Sequence, residues 1–170
     1  MNSKVDWLNL LRRKLITASI AGSLYAVLFG VIIPNPFGEE ISSVQDYLWR
    51  MVNSTPVYLL YSFPVILIYG TATSIVSDIL ANKIARNKNS RFEIYLTVLF
   101  HLLFGSVLLL ISLTASILYL IVDRLLMKRN IDYKWGHTFK SLAVPFLLFV
   151  LLMGVINMVD FIENWTIYLQ

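Results

Sequence analysis

Residues 94–122 read IYLTVLFHLLFGSVLLLISLTASILYLIV, twenty-nine residues with one histidine, His101, and no formal charge. A helix needs about 20 apolar residues to cross the hydrocarbon of a bilayer, so this run is long enough for one tilted helix or for a short hairpin. Which of the two it forms decides how the chain is threaded. Three further apolar stretches accompany it, at residues 15–33, 57–77 and 142–159. Each is near the spanning length, and helix is the state that satisfies every backbone group of a lone span in lipid.

Composition places the chain in the same class. Of the 170 residues 58% are hydrophobic and 14% are charged, against about 25% charged in a soluble domain. Mean hydropathy is +0.71. These figures exclude disorder, collagen and coiled coil. Cysteine is absent, so there is no disulfide framework, thiolate metal site or thiol nucleophile. The fold class expected is an all-α polytopic membrane bundle in one domain over residues 1–170. The net charge of +4 is read by position and does not point to nucleic acid.

The basic residues decide between the two readings of 94–122. They fall before residue 15, at 83–91 and at 124–140, with only Arg50 between the first two stretches and none after Lys140. One long tilted helix gives four crossings and leaves eight bases inside against six outside. A hairpin gives five crossings and leaves thirteen inside against one outside. The positive-inside rule favours the hairpin and a cytoplasmic N-terminus. Local pattern favours one helix: Thr97, His101, Gly105, Ser112, Ala115, Ser116, Tyr119 and Asp123 share one side of a helical wheel. A turn would fall near residues 108–110, which hold no turn former, and Gly105-Ser106 lies too early.

The connections carry their own signals. Thr55-Pro56 predicts a helix start. Ser43 with Asp46 resembles a capping box, and the apolar spacing predicts an interfacial helix at about 43–53. The 15–33 stretch follows Arg12-Arg13-Lys14 but precedes no small-residue cleavage site, so it reads as a retained helix. Trp7, Trp49, Trp135 and Trp165 lie near the span ends, where amphipathic rings settle.

Four features are candidates for function. Ala18, Gly22, Ala26 and Gly30 recur every four residues and form a smooth helix-packing face. Pro64 leaves the carbonyl of Leu60 without its usual donor and predicts a kink. His101 is the one ionisable group well inside a span, so it is a candidate transport residue. In a bundle it would equally hydrogen-bond a serine or threonine of a neighbouring helix. Asp78 and Asp123 lie at helix ends with Lys83 and Arg124 near, and read as solvated or snorkelling ion pairs. Asp160, with Glu163, Glu39, Glu40 and Asp46, makes the opposite end acidic, a face for a cationic peptide.

Catalytic signatures such as HExxH, GxSxG and phosphate loops are absent, so no enzyme, cofactor or metal is expected. The order Phe63-Pro64-Val65-Ile66, Tyr69-Gly70, Ser77-Asp78, Phe100-His101, Phe104-Gly105 and Asp123-Arg124-Leu125-Leu126 resembles a small uncharacterised family of multi-span membrane proteins of Gram-positive bacteria. The resemblance covers roughly residues 57–130. It implies a bacterial cell-membrane location, mildly favours the hairpin, and implies no chemistry. The expected function is that of a non-catalytic multi-pass membrane protein, a regulatory, immunity or accessory subunit. Its partners would be the lipid bilayer, itself or another membrane protein, or a cationic peptide. The alternative is a small transporter or channel built on His101 and the Pro64 helix.

Overall fold

Helix α1, Trp7–Ile32, begins at the cap residue Asp6, whose Oδ1 accepts from the N–H groups of Leu8 and Asn9 at 3.1 and 3.2 Å. It ends at Ile33, just before Pro34, whose ring cannot extend the ladder. These details come from a computed structural model that describes residues 6–38, 40–86, 90–107, 109–129 and 131–168. All the regular structure in that set is helical.

After the loop the chain returns as one unbroken helical rod, Val44–Ala85. It comprises α2, Val44–Val65, a π turn at Ile66–Gly70, and α3, Thr71–Ala85. Ser43 caps it, accepting from the N–H of Asp46 at 3.1 Å, while Asp46 Oδ2 accepts from the N–H of Ser42 at 3.0 Å. The capping residue is thus as expected, but the separate interfacial helix at 43–53 and the start at Thr55-Pro56 are not found. Pro56 sits inside the helix. Thr55 is no cap, because its hydroxyl donates backwards to the carbonyl of Met51 at 2.7 Å. Buried helices tolerate such a proline where neighbouring hydroxyls and helices surround the freed backbone groups. The π turn follows directly on Pro64, at the place where a helix missing one hydrogen bond can take up an extra residue.

The 94–122 run divides into α4, Ser90–Ser106, and α5, Leu109–Lys128, with a turn at Val107. The single tilted helix is therefore corrected to a hairpin. Its arms are antiparallel: the Ser116 hydroxyl donates to the His101 carbonyl at 3.0 Å, and the Ser112 hydroxyl donates to the Gly105 carbonyl. A Cβ on Gly105 would collide with the Ser116 side chain. The shared wheel face of Thr97 through Asp123 is thus two facing surfaces, and Gly105 serves the close approach of the arms just below the turn.

Helix α6, Trp135–Tyr168, extends well past residues 142–159 at both ends and packs on α1 and α2. The link before it is tied to α1. Arg12 donates to the Tyr133 carbonyl at 3.0 Å and lies 5.3 Å from the Trp135 ring, and the Tyr133 N–H donates to Asn9 at 3.0 Å. The start of α1, the end of α3, both feet of the hairpin and the start of α6 therefore share one end of the bundle. Every described Lys and Arg except Arg50 belongs to that basic end. Glu40, Asp46, Asp160 and Glu163 belong to the far end, while Glu39 lies outside the described residues.

Among the described residues, three helices are long and apolar enough to cross a membrane: Trp7–Ile32, Val44–Ala85 and Trp135–Trp165. The chain is a multi-pass, all-helical membrane bundle. Its inside is built from small and hydroxylated residues, and many large apolar side chains point outward. Ala18 and Ala26 are fully buried, and Gly22 and Gly30 lie against Phe63 and Thr55 of α2. A Cβ at Gly22 would stand 2.8 Å from the Phe63 ring. Gly22→Ile is therefore expected to push α1 from α2 and cost about 1–3 kcal/mol by overpacking. Thermal melting of the detergent-solubilised protein, followed by size-exclusion, reads this as a lowered midpoint.

Candidate functional site

The part of α1 that enters the bundle first carries Arg13, Lys14, Thr17 and Ala18. On α3, Ser74 and Asp78 stand four residues apart and so share a face, with Gly70 of the π turn four residues before them. On α5, Ser116, Tyr119 and Asp123 share another. The three faces meet at the basic end of the bundle.

Lys14 lies at the centre and is fully buried. Its Nζ is 2.7 Å from Asp78 Oδ2, 2.8 Å from Asp123 Oδ2 and 2.8 Å from Ser74 Oγ. An ammonium has three protons and no lone pair, so each proton has one acceptor. Arg13 completes the group, with Nε 3.2 Å from Asp123 Oδ1 and Nη2 3.6 Å from Asp78 Oδ2. Two cations face two carboxylates, and the formal charge closes to zero. Neutral closure matters here because an uncompensated charge in a low-dielectric interior costs several kcal/mol.

Hydroxyls support the cluster from above. Tyr119, 1% exposed, donates to the Lys14 carbonyl at 2.8 Å, and Thr71 Oγ1 lies 3.4 Å from the same hydroxyl. Thr17 donates to the Arg13 carbonyl at 2.9 Å, with Asp123 Oδ1 3.5 Å away. Asp78 and Asp123 are thus not solvated pairs with Lys83 and Arg124. Adjacent residues on a helix point away from one another, and a five-residue step also leaves the shared face. The partners come instead from α1, whose basic triplet reads in sequence only as a topology signal. The visible clue was the Ser74/Asp78 and Tyr119/Asp123 spacing, which leaves two carboxylates on polar faces with no cation on either helix facing them.

His101 sits one layer higher and is buried. Its ring centroid is 5.5 Å from that of Tyr119. The hydroxyl bond it makes across the hairpin goes through its backbone carbonyl to Ser116, and Nε2 is buried without a hydrogen-bond partner. His101 lines a cavity of about 50 Å³ together with Tyr69, Gly70, Thr73, Ser116 and Tyr119, beside the π turn. Pro64 lies on the other side of α2, in a groove shared with Pro145 and Phe146 of α6. Asp160 is remote from both. It is exposed at the far end of α6 and accepts from Asn164 Nδ2 at 2.9 Å.

The structure thus joins Asp78 and Asp123, places His101 above them, and leaves Asp160 apart. Among the described residues, no group of three or more histidines or acids is arranged to hold a metal ion. Compared with known proteins, the chain matches no family model, no curated protein and no solved structure.

Removing Lys14 strands the buried Asp123 and the partly buried Asp78. Lys14→Met is expected to cost about 3–5 kcal/mol, the usual result of breaking one side of a buried pair. Lys14→Met combined with Asp123→Asn leaves Arg13 facing Asp78 and restores neutrality. That double variant should melt closer to the parent than Lys14→Met alone. A double-mutant cycle on thermal midpoints in detergent measures the coupling.

Proposed function

We propose that the chain is a non-catalytic multi-pass protein of the bacterial cell membrane, with its N-terminus and basic end in the cytoplasm, acting through helix contacts as a regulatory, immunity or accessory subunit. The observation that carries this reading is the closure of the charge quartet. Every proton of Lys14 has an acceptor within the chain, so this charged site serves to lock α1, α3 and α5 together. A carrier needs a charged site that exchanges partners during its cycle. Support for a helix partner comes from α6. It packs on α1 and α2, and Phe146, Leu147, Val150, Leu151 and Met158 on its length are exposed. That partner is another membrane protein or a second copy of the chain. A cationic peptide would meet the acids of the far end.

The second reading, a small transporter or channel, is favoured by one observation: the buried Nε2 of His101 beside a cavity at a π turn. Reconstituted vesicles separate the two. The first reading expects no proton or cation flux above that of protein-free vesicles. A pH-driven flux that His101→Gln abolishes while the helical content is unchanged would establish the second.

Orientation has its own test. The basic end on the cytoplasmic side puts the end of α6 outside. A reporter fused at Gln170 should therefore give a periplasmic-type or extracellular signal, and a cytoplasmic signal there overturns the assignment.

A further inference from the structure

Helix α1 marks the far edge of the hydrocarbon. Its uncharged run, residues 15–33, rises by roughly 28 Å above Lys14, close to the layer thickness of about 30 Å. On α2 the same level falls at residues 51–55, because a Cβ on Gly30 would meet Met51 and Thr55. On α6 it falls near Val155, which shares a groove with Val52, as Pro145 lower down shares one with Leu60. Both helices continue past that level, α2 by roughly 10 Å to Val44 and α6 by roughly 20 Å to Tyr168. The headgroup layer accounts for only about 5 to 8 Å on one side. The start of α2 and the end of α6 therefore stand together as an antiparallel pair beyond the bilayer.

This pair is poorly suited to water alone. Val44, Leu48, Phe161 and Ile162 are each at least half exposed, at a level that lipid tails do not reach. Between the two helices runs a groove of about 670 Å³, with Leu48, Val52, Val155 and Val159 as its apolar lining and Asp46 and Glu163 among its polar residues. Contiguous apolar surface rimmed by polar groups marks an interaction site. Charge sets the kind of partner. Asp46 is answered by Arg50, whose Nε lies 2.6 Å from Oδ1. Among the described residues no cation pairs with Glu163, and Glu40 and Asp160 add their charge at the same end. Arg50 is the only Lys or Arg between Lys14 and Lys83, and none follows Lys140. A second copy threaded the same way would bring acids to acids, because its other bases lie at the opposite end. Anionic headgroups are repelled for the same reason.

We infer that the groove between the start of α2 and the end of α6 docks an amphipathic cationic segment of another polypeptide. Its apolar side lies on Leu48, Val52, Val155 and Val159, and a Lys or Arg of the segment meets Glu163. An amphipathic helix laid into an apolar groove is a recurring mode of peptide recognition. The inference rests on the reading of the chain as a non-catalytic, partner-binding protein, and gives the cationic peptide of that reading its place.

The test places the full chain in phosphatidylcholine nanodiscs, where both faces are open and orientation in the cell does not enter. The probe is a fluorescent amphipathic helix of leucine and lysine. Its controls are a leucine–glutamate helix of the same pattern and a scrambled leucine–lysine peptide. Anisotropy should show saturable binding of the probe above that of empty nanodiscs, and binding of both controls about tenfold weaker. Glu163→Lys and, independently, Val155→Trp should each weaken the probe by about tenfold or more, while circular dichroism matches the parent. Because the chain lacks cysteine, Val159→Cys carries a benzophenone to the groove alone, and light should join it to the probe. Binding no stronger than to empty nanodiscs, equal binding of either control, unchanged affinity in either folded variant, or crosslinks only to lipid or to a second copy overturns the site. None of these outcomes bears on the flux measurement, and a His101-dependent flux would sink the non-catalytic reading without altering the binding result.

Discussion

The three protons of the Lys14 ammonium hold this bundle in register. They tie α1 to α3 through Ser74 and Asp78 and to α5 through Asp123, at distances of 2.7 to 2.8 Å. No apolar contact in a membrane could do the same, because lipid tails compete with every side chain on equal terms. A buried ammonium with three acceptors has one position of lowest energy, and sliding any of the three helices by a turn would strand a charge. The register of the hairpin and the level of His101 follow from that one constraint.

Packing elsewhere obeys the same logic in weaker form. Thr17, Ser19, Ser23, Thr55, Ser62, Thr73, Ser77 and Thr97 each donate to the carbonyl four residues earlier on their own helix. This back-bonding leaves the hydroxyls no unmet demand and turns them into small, smooth packing surfaces. With Ala18, Gly22, Ala26 and Gly30 they let α1 lie close against α2, where dispersion gains most from short distances. The large apolar side chains go outward, most of all on α6, whose apolar residues surround the helix on every side as lipid contact requires.

A neutral, closed cluster and a cavity holding an unbonded imidazole nitrogen stand one layer apart. The first stabilises by leaving its ammonium fully paired, and the second keeps the His101 Nε2 buried without a hydrogen-bond partner. Tyr119 links the layers, with its hydroxyl on the Lys14 backbone and its ring beside His101. A change in either layer would be felt in the other through this one side chain.

Hydropathy and charge position alone determined the membrane class, the helical state and the preference for a hairpin. They could do so because burying charge in lipid is costly everywhere along the chain. The asymmetry of the bases separated the two readings of 94–122, whereas the helical wheel could not: the facing sides of two antiparallel arms and one side of a single helix leave the same pattern. Local signals also misplaced the helix start at Thr55-Pro56, since a proline inside a helix and one at its first turn look alike until neighbours are known. The pairing of Asp78 and Asp123 with Arg13 and Lys14 was decided only by tertiary structure. Those partners lie more than 60 residues apart in sequence, and no periodicity records which helix a polar face will meet.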